Sequence, residues 1–406
     1  MTAHGSIQPR NPDVVHLTTA HSTRDGRIFY KECVSLAKAG LNVTLIAPGE
    51  NVGRVMDVDI RPLRKSPGRL RRMTLDALGI YREALRLNAS IYHFHDPELM
   101  PVGLALKYHG KTVVYDAHED LPRQVLSKYW ISPWARRTTS VGIHAFEQFA
   151  VRRYDAVVAA TPAIAANFPQ HKTVTVNNFP LENEIHQLAS LQSRTKTTAD
   201  AAYVGGMSFP RGTMQVLSAL AMLPDSCTTK LCVAGKFQTR KLESEALVAA
   251  GWRRVEFLGW RSREEMVKLL SRVAMGIVTF LPVPNHVTAQ PNKLFEYMAA
   301  GIPVIASDFP LWRQLVVANK CGLLVDPSKP SQIAEAIQWL GDHPTEAFQM
   351  GQRGREAIIN RYNWNQEARK LIDLYGRLLD ENRHGCRRPT PVRQSGDCQQ
   401  RVKAAA

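Results

Sequence analysis

Short apolar runs alternate with amphipathic stretches along most of this chain, and that alternation restricts its possible folds more than any other feature. An apolar run of about four to eight residues is typical of a strand that is covered on both faces. Strands that alternate with helices form parallel sheets with helices packed on each side. We therefore predict an α/β fold made of Rossmann-like sheets.

The alternation stops once and then restarts, which predicts two domains. The first series of strands runs from 13–19 to 173–176, and the second from 201–204 to 322–325. A chain of 406 residues is also too long for one ordinary core. The predicted units are an N-terminal domain (1–180), a polar, aperiodic linker (181–200), a C-terminal domain (201–362), a C-terminal helix (363–382) and a tail (383–406) that we expect to be disordered.

Polar residues and glycines follow several of the predicted strands at their carboxyl ends. In α/β sheets, ligands bind in the crevice beyond those ends. The residues in these positions are Asp25, Arg27, His95, Asp96, His118, Glu119, Gly205, Gly206, Gly235 and Lys236. Because they occur in both halves of the chain, we predict one cleft between two facing domains.

The composition limits the class of protein and of partner. A hydrophobic content of 44% with 22% charged residues is typical of a soluble globular protein. The net charge of +16 predicts an anionic partner, which could be nucleic acid, a phosphorylated substrate or a membrane surface. No apolar run has the length of a membrane span, and the first residues lack the apolar core of a signal peptide. The six cysteines show no metal-ligand spacing, so we expect reduced thiols in a cytoplasmic protein.

Residues 290–307, QPNKLFEYMAAGIPVIAS, predict a short helix that is followed at once by a buried strand. Pro291 suits the first helical turn, and Gly301 suits the left-handed residue that ends a helix. The start of such a helix offers free N–H groups to a phosphate. Asn292 and Glu296 share one face, where the glutamate could accept hydrogen bonds from two sugar hydroxyls. The alternative is an ordinary core helix with one solvated glutamate.

The run YVGGMSFPRG at 203–212 indicates a strand that enters a glycine turn before the next helix. Gly205 and Gly206 would let the backbone approach a phosphate closely, and Arg211 could bind it through two N–H groups. Double glycines are common in turns, so this motif points to a phosphate site only in combination with the helix that starts at Pro291.

Two groups of histidines are candidates for a site. His93 and His95 share one face of a predicted strand and could form half of a metal site, but the sequence shows no further ligands at a usable spacing. A hydrogen-bonded site histidine is the favoured interpretation, and a structural role is nearly as favourable for His93. His118 follows another strand, where it could bind a substrate hydroxyl or be an ordinary loop histidine.

Taken together, these residues resemble glycosyltransferase family 4. The resemblance covers nearly all of the chain except the predicted linker and tail. It is carried by RIFYKECVSLAKAGLNVTLIAP, HFHDPELMP, VVYDAHEDLP, YVGGMSFPRG, PNKLFEYMAAGIPVIASDFPLWRQLV and CGLLVDPSKPSQIAEAI. It implies the GT-B architecture, in which two facing Rossmann-like domains enclose an interdomain cleft, and a retaining transfer from a nucleotide-diphosphate sugar.

The resemblance also implies roles for individual residues. Glu296 would bind the nucleotide ribose, Arg211 and Lys293 would neutralise the pyrophosphate, and His118 would lie beside the reacting carbon of the donor sugar. We assign Gly205, Gly206, Lys236 and Asn292 to the donor side, and Asp25, Arg27, His95 and Asp96 to the acceptor side. Two departures concern the donor sugar: Thr288 replaces the family's usual second glutamate, and near Gly206 the usual arginine before the phosphate-binding lysine is missing.

We therefore expect a retaining glycosyltransferase that needs no metal and no cofactor, and that acts on a glycan or lipid-linked acceptor in surface polysaccharide assembly. Cations and a helix N-terminus can stabilise a pyrophosphate leaving group without a metal. The alternative is a sugar-nucleotide epimerase of the same architecture, which would need acid and base carboxylates in the cleft. A nucleic-acid binder is supported only by the charge, and no nucleic-acid module is recognisable.

One basic segment suggests a membrane surface as a further partner. Residues 61–86 contain eight basic and two acidic side chains. Nearby, Trp130 and Trp134 are followed by Arg136 and Arg137, a combination suited to lipid headgroups. A solvated basic helix with its aromatic side chains in the core is the alternative. The expectation is a cytoplasmic protein that binds reversibly to the inner face of an anionic membrane.

Overall fold

The computed structural model describes residues 11–50, 53–64, 68, 71–128, 131–190 and 199–384. They form two α/β domains, each with one sheet between two layers of helices. The predicted fold class is therefore confirmed. Most predicted strands differ from the observed ones by one or two residues at each end.

The N-terminal sheet has eight strands. They are β1 (Val14–Leu17), β2 (Val43–Pro48), β3 (Gly53–Val55), β4 (Val58–Leu63), β5 (Ile91–Phe94), β6 (Thr112–Ala117), β7 (Ala156–Ala159) and β8 (Thr173–Thr175). Their order is β3-β4-β2-β1-β5-β6-β7-β8, and every pair is parallel except β3 with β4. Because β1 and β5 are neighbours, Asp25, Arg27 and Asp96 follow strand ends that lie side by side.

The C-terminal sheet has six strands, all parallel. They are β9 (Ala201–Val204), β10 (Leu231–Ala234), β11 (Val255–Gly259), β12 (Met275–Val278), β13 (Val304–Ser307) and β14 (Gly322–Val325). Their order is β11-β10-β9-β12-β13-β14. The order in which strands are added to the sheet reverses between β9 and β12, and the glycine turn after β9 lies at this switch point, where α/β sheets bind ligands.

Helices cover both faces of each sheet, and buried apolar clusters lie on each side. In the N-terminal domain the α-helices are Val34–Lys38, Ala77–Leu87, Met100–Tyr108, Leu121–Leu126, Pro133–Val151 and Pro162–Ala165, and π-helical turns at Ile28–Cys33 and Arg72–Asp76 precede the first two. The later α-helices are Glu182–Ser190, Thr213–Met222, Arg240–Leu247, Arg263–Arg272, Asn292–Ala299, Pro310–Asn319, Pro330–Asp342, Pro344–Asn360 and Trp364–Arg383. Short 3₁₀ turns occur at Pro97–Leu99, Gln170–Lys172, Phe209–Arg211 and Ala250–Arg254.

The last helix, Trp364–Arg383, crosses back and packs on the N-terminal domain. Its apolar face joins the core around β1, β2 and β5 through Trp364, Leu371 and Tyr375. Its Glu367 accepts a hydrogen bond of 2.7 Å from the backbone N–H of Asn177. The helix was predicted at nearly these bounds, but the domain that it contacts was not.

The segment expected to be an aperiodic linker contains a helix, Glu182–Ser190. Ile185 and Leu188 are three residues apart, so they share a face and pack into the core of the C-terminal domain. Glu182 and Glu184 lie in the first turn, where negative charge favours a helix. The expectation is wrong here because two apolar residues are too short a pattern to show a period. The rest of the predicted linker, 191–198, lies outside the described residues.

The helix before β13 has the predicted arrangement with one small difference. It spans Asn292–Ala299, and Pro291 is its N-cap rather than part of its first turn. Gly301 has a φ of 63°, the left-handed value expected of the residue that ends the helix. Leu294 and Met298 are buried, so the opposite face of the helix is left for polar residues.

Three further expectations concern the chain as a whole. Within the described part of the chain, no helix combines the length and the apolar character needed to cross a bilayer. Of the six cysteines, Cys33, Cys227, Cys232 and Cys321 are described, and all four are free thiols. Almost all of the predicted disordered tail, from residue 385 onward, lies outside the described residues.

Candidate active site

A cavity of about 670 Å³ lies between the two domains, and side chains from both of them line it. The N-terminal wall contains His21, Asp25, Arg27, Lys31, His118 and Glu119, and the C-terminal wall contains Arg211, Arg263, Thr288, Asn292, Lys293 and Glu296. The cleft predicted from strand ends in both halves of the chain is therefore present.

The glycine turn after β9 packs against the two cations of the C-terminal wall. Gly205 has a φ of 101°, and a Cβ there would lie 2.6 Å from Nζ of Lys293. Nη1 of Arg211 donates a hydrogen bond of 3.0 Å to the carbonyl of Gly206. The absence of side chains at both glycines thus makes room for a lysine and an arginine side by side, at the start of helix Asn292–Ala299.

The position of Lys293 gives it unusual electrostatics. Its ammonium lies 5.4 Å from the ring centre of Tyr203 and 5.6 Å from that of Phe280. Burial, together with the nearby charge of Arg211, lowers the pKa of Lys293 to about 7. A bound polyanion would favour the charged form of the lysine and relieve its repulsion from the arginine. This wall is therefore complementary to a phosphate or pyrophosphate.

Glu296 lies one turn further along the same helix and also faces the cavity. Burial raises the pKa of this carboxyl above its usual value, and the charges of Arg263, Lys293 and Lys31 partly oppose that shift. Arg263 is held by an ion pair of 2.6 Å with Glu184. A half-buried carboxylate in this setting suits a ligand that donates two hydrogen bonds, such as the two hydroxyls of a ribose.

The N-terminal wall is organised by Asp116, a fully buried carboxylate at the end of β6. Its Oδ1 accepts a bond of 3.0 Å from Nη2 of Arg27, and its Oδ2 lies 2.9 Å from Nδ1 of His95 and 2.6 Å from Nε2 of His118. Burial alone would raise the pKa of Asp116, but Arg27 and the two histidines hold it well below its usual value. The carboxylate is therefore ionised and fixes three side chains.

The bond to Asp116 determines how His118 presents its ring. An ionised carboxylate only accepts, so Nε2 of His118 carries the hydrogen. His118 is half-buried and lines the cavity, and the centre of its ring lies 5.4 Å from that of His21. The site thus has one oriented imidazole on the wall of the cavity opposite Arg211 and Lys293.

Asp25 and His21 form the outer part of the same wall. Oδ1 of Asp25 accepts bonds of 2.8 and 2.9 Å from the backbone N–H groups of Arg27 and Ile28. Its Oδ2 lies 3.2 Å from Nδ1 of His21, and this bond, opposed by burial, raises the pKa of His21. Asp25 therefore holds the start of the helical segment at Ile28–Cys33 and remains accessible from the cavity.

Several residues assigned from the sequence do not line the cavity. His95 and Asp96 are buried behind its wall: His95 contacts Asp116, and Asp96 accepts a bond of 2.7 Å from Oγ1 of Thr18. Lys236 is exposed on the surface, and its carbonyl accepts a bond of 2.9 Å from the backbone N–H of Met207. Arg27 reaches the cavity, but its guanidinium is bound to Asp116, Glu32 and the carbonyl of Val176. The structure thus gives His95, Asp96 and Arg27 bracing positions and leaves Lys236 outside the site.

Other residues of the site were not singled out from the sequence. They are Asp116, His21, Lys31, Glu184 and Arg263. Asp116 had a usable signal, since it is an acidic residue inside a buried strand, two residues before His118. Glu184 had no such signal in the sequence, because it lies in the segment taken for a linker. Arg263 had no such signal either. Thr288, at the position of the missing family glutamate, accepts a bond of 3.4 Å from Nη1 of Arg123 across the cleft.

Comparison with known families agrees with this geometry. The model described as Glycosyltransferase Family 4 matches residues 26–176, and the model described as Glycosyl transferases group 1 matches residues 190–357. The first match lies in the N-terminal domain and the second in the C-terminal domain, on both walls of the cavity. The chain belongs to glycosyltransferase family 4. The resemblance inferred from the sequence motifs is confirmed.

Individual relatives of this glycosyltransferase are distant. The glycogen synthase of Mycobacterium tuberculosis is 23% identical over 60% of this chain and 59% of its own length. The GDP-mannose:cellobiosyl-diphosphopolyprenol alpha-mannosyltransferase of Xanthomonas oryzae pv. oryzae is 22% identical over 72% of this chain and 75% of its own length. The alignment with the glycogen synthase thus spans about three-fifths of that relative.

Solved structures confirm the GT-B fold of the glycosyltransferase. Sucrose-phosphate synthase from Thermosynechococcus elongatus superposes with a TM-score of 0.72 at 19% identity, over 91% of this chain and all of that one. HepE of Anabaena, solved in complex with UDP-glucose, superposes with a TM-score of 0.67 at 15% identity, over 90% of this chain and 99% of that one. At these identities the likeness establishes the fold.

Proposed function

We propose that this glycosyltransferase moves a sugar from a nucleotide-diphosphate sugar to a glycan or lipid-linked acceptor, with retention at the anomeric carbon and without a metal. The observation that carries the proposal is the pairing of Arg211 and Lys293 beside Glu296 on one wall of the interdomain cavity. Two cations suit the pyrophosphate, and the carboxylate suits the ribose. The UDP-glucose complex of HepE and the mannosyltransferase of Xanthomonas supply the classes of donor and acceptor.

The chemistry follows from where charge develops. When the bond between the sugar and the phosphate breaks, negative charge accumulates on the pyrophosphate and positive charge on the sugar ring. Arg211, Lys293 and the start of helix Asn292–Ala299 stabilise the leaving group, because they are already oriented before the reaction. His118, held by Asp116, lies on the opposite wall, where it contacts the donor sugar.

Retention requires that the acceptor attacks from the face that the pyrophosphate leaves. In this proposal an oxygen of the departing phosphate takes the proton from the acceptor hydroxyl on that face. The new glycosidic bond forms there as the sugar–phosphate bond breaks. Asp25 and His21 line the outer part of the N-terminal wall, and we place the acceptor against them.

Independence from metal is part of the same proposal. The negative charge of the donor phosphates is balanced by Arg211, Lys293 and a helix N-terminus, which together replace a divalent ion. We expect enzyme dialysed free of Mg²⁺ and Mn²⁺ to be as active as enzyme supplied with either ion. Strong activation by one of these ions would contradict the proposed independence from metal.

The epimerase alternative predicts a carboxylate pair that exchanges protons with the substrate. The charged groups near His118 are bound to neighbouring side chains, as Asp116 is to Arg27 and His95. The relatives and structures described above are transferases and synthases, so they give an epimerase no support.

The deciding experiment is a screen of nucleotide sugars followed by product analysis. The protein is heated with each nucleotide sugar, and the one that raises the unfolding temperature is incubated with candidate acceptors. NMR spectroscopy of the product then gives its anomeric configuration. The proposal expects the configuration of the donor; an inverted product would contradict retention, and epimerised donor without acceptor would support the alternative.

We also propose that the N-terminal domain binds an anionic membrane surface, where a lipid-linked acceptor would be found. Helices Ala77–Leu87 and Pro133–Val151 pack on the same face of the sheet. The outer sides of these helices and of the preceding turn Arg72–Asp76 expose apolar side chains at Met73, Leu75, Leu78, Trp134, Val141, Phe146 and Phe149, the most exposed being Trp134 at 74%. Exposed arginines lie among them at 71, 82, 86, 137, 152 and 153. Apolar side chains flanked by cations fit the headgroup region of a bilayer that contains anionic lipid.

Not all of the basic side chains in residues 61–86 are without an acidic partner. Arg61 is paired with Asp59 and Glu83, Arg72 with Glu98, and Arg86 with Glu83, so three arginines of this segment already have acidic partners. Lys65, Arg69 and Trp130 lie outside the described residues. The surface therefore depends on the helix at Pro133–Val151 as much as on residues 61–86.

Sedimentation with vesicles of rising anionic lipid content tests the membrane proposal. Each basic residue near such a surface contributes about 1 kcal/mol. Arg137→Glu with Arg152→Glu should therefore abolish binding at low salt. The matched control, Arg240→Glu with Arg253→Glu, makes the same charge change on the C-terminal domain and should leave binding intact. Absence of binding by the unmodified protein, or equal loss in both variants, would refute the proposal.

A further inference from the structure

Four buried side chains with metal-binding chemistry meet behind the N-terminal wall of the cavity. They are His16 on β1, Glu32 in the Ile28–Cys33 segment, and His93 and His95 on β5. Each offers a nitrogen or oxygen atom, and these atoms lie within 4.8 Å of one another. The residues are far apart in sequence, but β1 and β5 pair with His16 directly opposite His93.

Several atoms of this cluster have no hydrogen-bond partner among the residues that the structure describes. They are Nε2 of His16, Nε2 of His93 and both carboxylate oxygens of Glu32. Oε1 of Glu32 lies 2.9 Å from Nε of Arg27, so that oxygen has an ion pair, but one without hydrogen-bond geometry. Buried polar atoms in proteins are nearly always bonded, so three unsatisfied side chains in one place indicate that something binds among them.

Two histidines of the cluster bond a polar group outside it through Nδ1, as metal-binding histidines do. Nδ1 of His95 lies 2.9 Å from the carboxylate of Asp116 and 3.9 Å from Oε2 of Glu32, and its Nε2 lies 2.9 Å from Nδ1 of His16. Nδ1 of His93 lies 2.7 Å from the hydroxyl of Tyr375 and 4.0 Å from Oε2 of Glu32, and its Nε2 has no hydrogen-bond partner among the described residues. Histidines that bind a metal through one ring nitrogen usually bond a carboxylate or another polar group through the other.

We propose that His16, Glu32, His93 and His95 bind a divalent transition-metal ion of the zinc class inside the N-terminal domain. Imidazole nitrogens with one carboxylate are typical ligands of Zn²⁺. The site is closed to solvent, so the ion is structural: it holds β1, β5 and the Ile28–Cys33 segment together. Through His95 it also adjoins Asp116, which orients His118. This ion is separate from the donor-phosphate metal that the proposed reaction does without.

The metal content of the full-length protein tests the proposal without any assumption about activity. Protein expressed with added zinc, purified without a metal-affinity column and dialysed, should retain a single ion per chain in elemental analysis. Unfolding in the presence of a strong chelator should lower the melting temperature, because an ion that binds only the folded state stabilises it.

Two variants and one control locate the ion. Glu32→Gln and His93→Asn should each lose the metal, whereas His109→Gln, which changes an exposed histidine of the same domain, should retain it. If the two cluster variants fail to fold, the metal content and the chelator sensitivity of the unmodified protein still test whether the protein binds an ion. Metal-free protein whose melting temperature is indifferent to both zinc and chelator would overturn the proposal and leave a proton-sharing network of Glu32 and the histidines.

Discussion

Nε2 of His118 donates a hydrogen bond of 2.6 Å to Oδ2 of Asp116, a carboxylate that Arg27 and His95 also bind. The imidazole that faces the cavity is therefore anchored to a fully buried, ionised group. An anchored side chain keeps one orientation as the reaction proceeds, so it can stabilise a charged transition state without reorganisation.

Replacing His118 by alanine should lower kcat by about 10²-fold or more, a size typical of losing one positioned catalytic group. The affinity for the donor nucleotide should change little, because Arg211, Lys293 and Glu296 lie on the opposite wall. Steady-state kinetics with calorimetric donor binding separate the two effects, and His109→Ala is the surface control. An unchanged kcat would show that His118 takes no part in the reaction.

Donor affinity should fall as the pH rises through about 7. Burial, with Arg211 nearby, lowers the pKa of Lys293 to about 7, so the free protein holds a largely neutral lysine at pH 8. A bound pyrophosphate favours the ammonium, so binding above pH 7 takes up a proton. Calorimetry in two buffers of different ionisation enthalpy measures that uptake.

Lys293→Met is the control for this proton uptake, because Lys31 also lines the cavity and burial lowers its pKa to about 8. If Lys293 is the group that titrates, the variant binds donor more weakly and loses most of the uptake at pH 8. Proton uptake that persists in the variant would assign the titration to another group.

A buried glutamate far from the reaction predicts a pH-dependent stability. Burial raises the pKa of Glu147 from 4.5 to about 7, while the hydroxyl of Tyr115 donates a bond of 3.0 Å to its Oε1. The folded state therefore binds a proton more tightly than the unfolded one, and stability falls between about pH 4.5 and 7 and stays lower above it. Glu147→Gln should raise the free energy of unfolding at pH 8 by roughly 1–3 kcal/mol.

Urea denaturation at several pH values measures this effect. The glutamine keeps an oxygen for Tyr115, so the gain at pH 8 reflects the removed charge. Glu346→Gln, on an exposed part of helix Pro344–Asn360, should show no such gain. A Glu147→Gln protein that is less stable than the unmodified one at pH 8 would contradict the prediction.

The fold could be predicted closely because its strands are buried on both faces. Val304 to Ala306 and Val113 to Tyr115 are apolar runs for that reason, and glycines such as Gly301 end their helices with positive φ. Local sequence is enough for such elements, since the signal and its cause lie in the same few residues.

The donor wall could be predicted for the same reason, and the rest of the site could not. Arg211, Lys293 and Glu296 belong to two short motifs, and the structure brings them together. The anchoring of His118 depends on Arg27, which is 89 residues from Asp116 in the chain. No periodic pattern in the local sequence predicts such a contact. His95 and Asp96 were assigned to the cavity because they follow a strand, but His95 contacts Asp116 and Asp96 accepts a bond from Thr18 behind the cavity wall.

Calorimetric titration of Glu296→Ala with the donor nucleotide sugar tests the central claim, the assignment of the donor site, most directly. Before the titration, thermal unfolding identifies the nucleotide sugar, since a ligand at a hundred times its Kd adds about 2.7 kcal/mol of stability. Loss of a charged acceptor should cost roughly 1.5–3 kcal/mol of binding free energy, about 10- to 150-fold in Kd. Glu335→Ala, at an exposed helix position of the same domain, should bind like the unmodified protein. A folded Glu296→Ala protein with unchanged affinity would contradict the account.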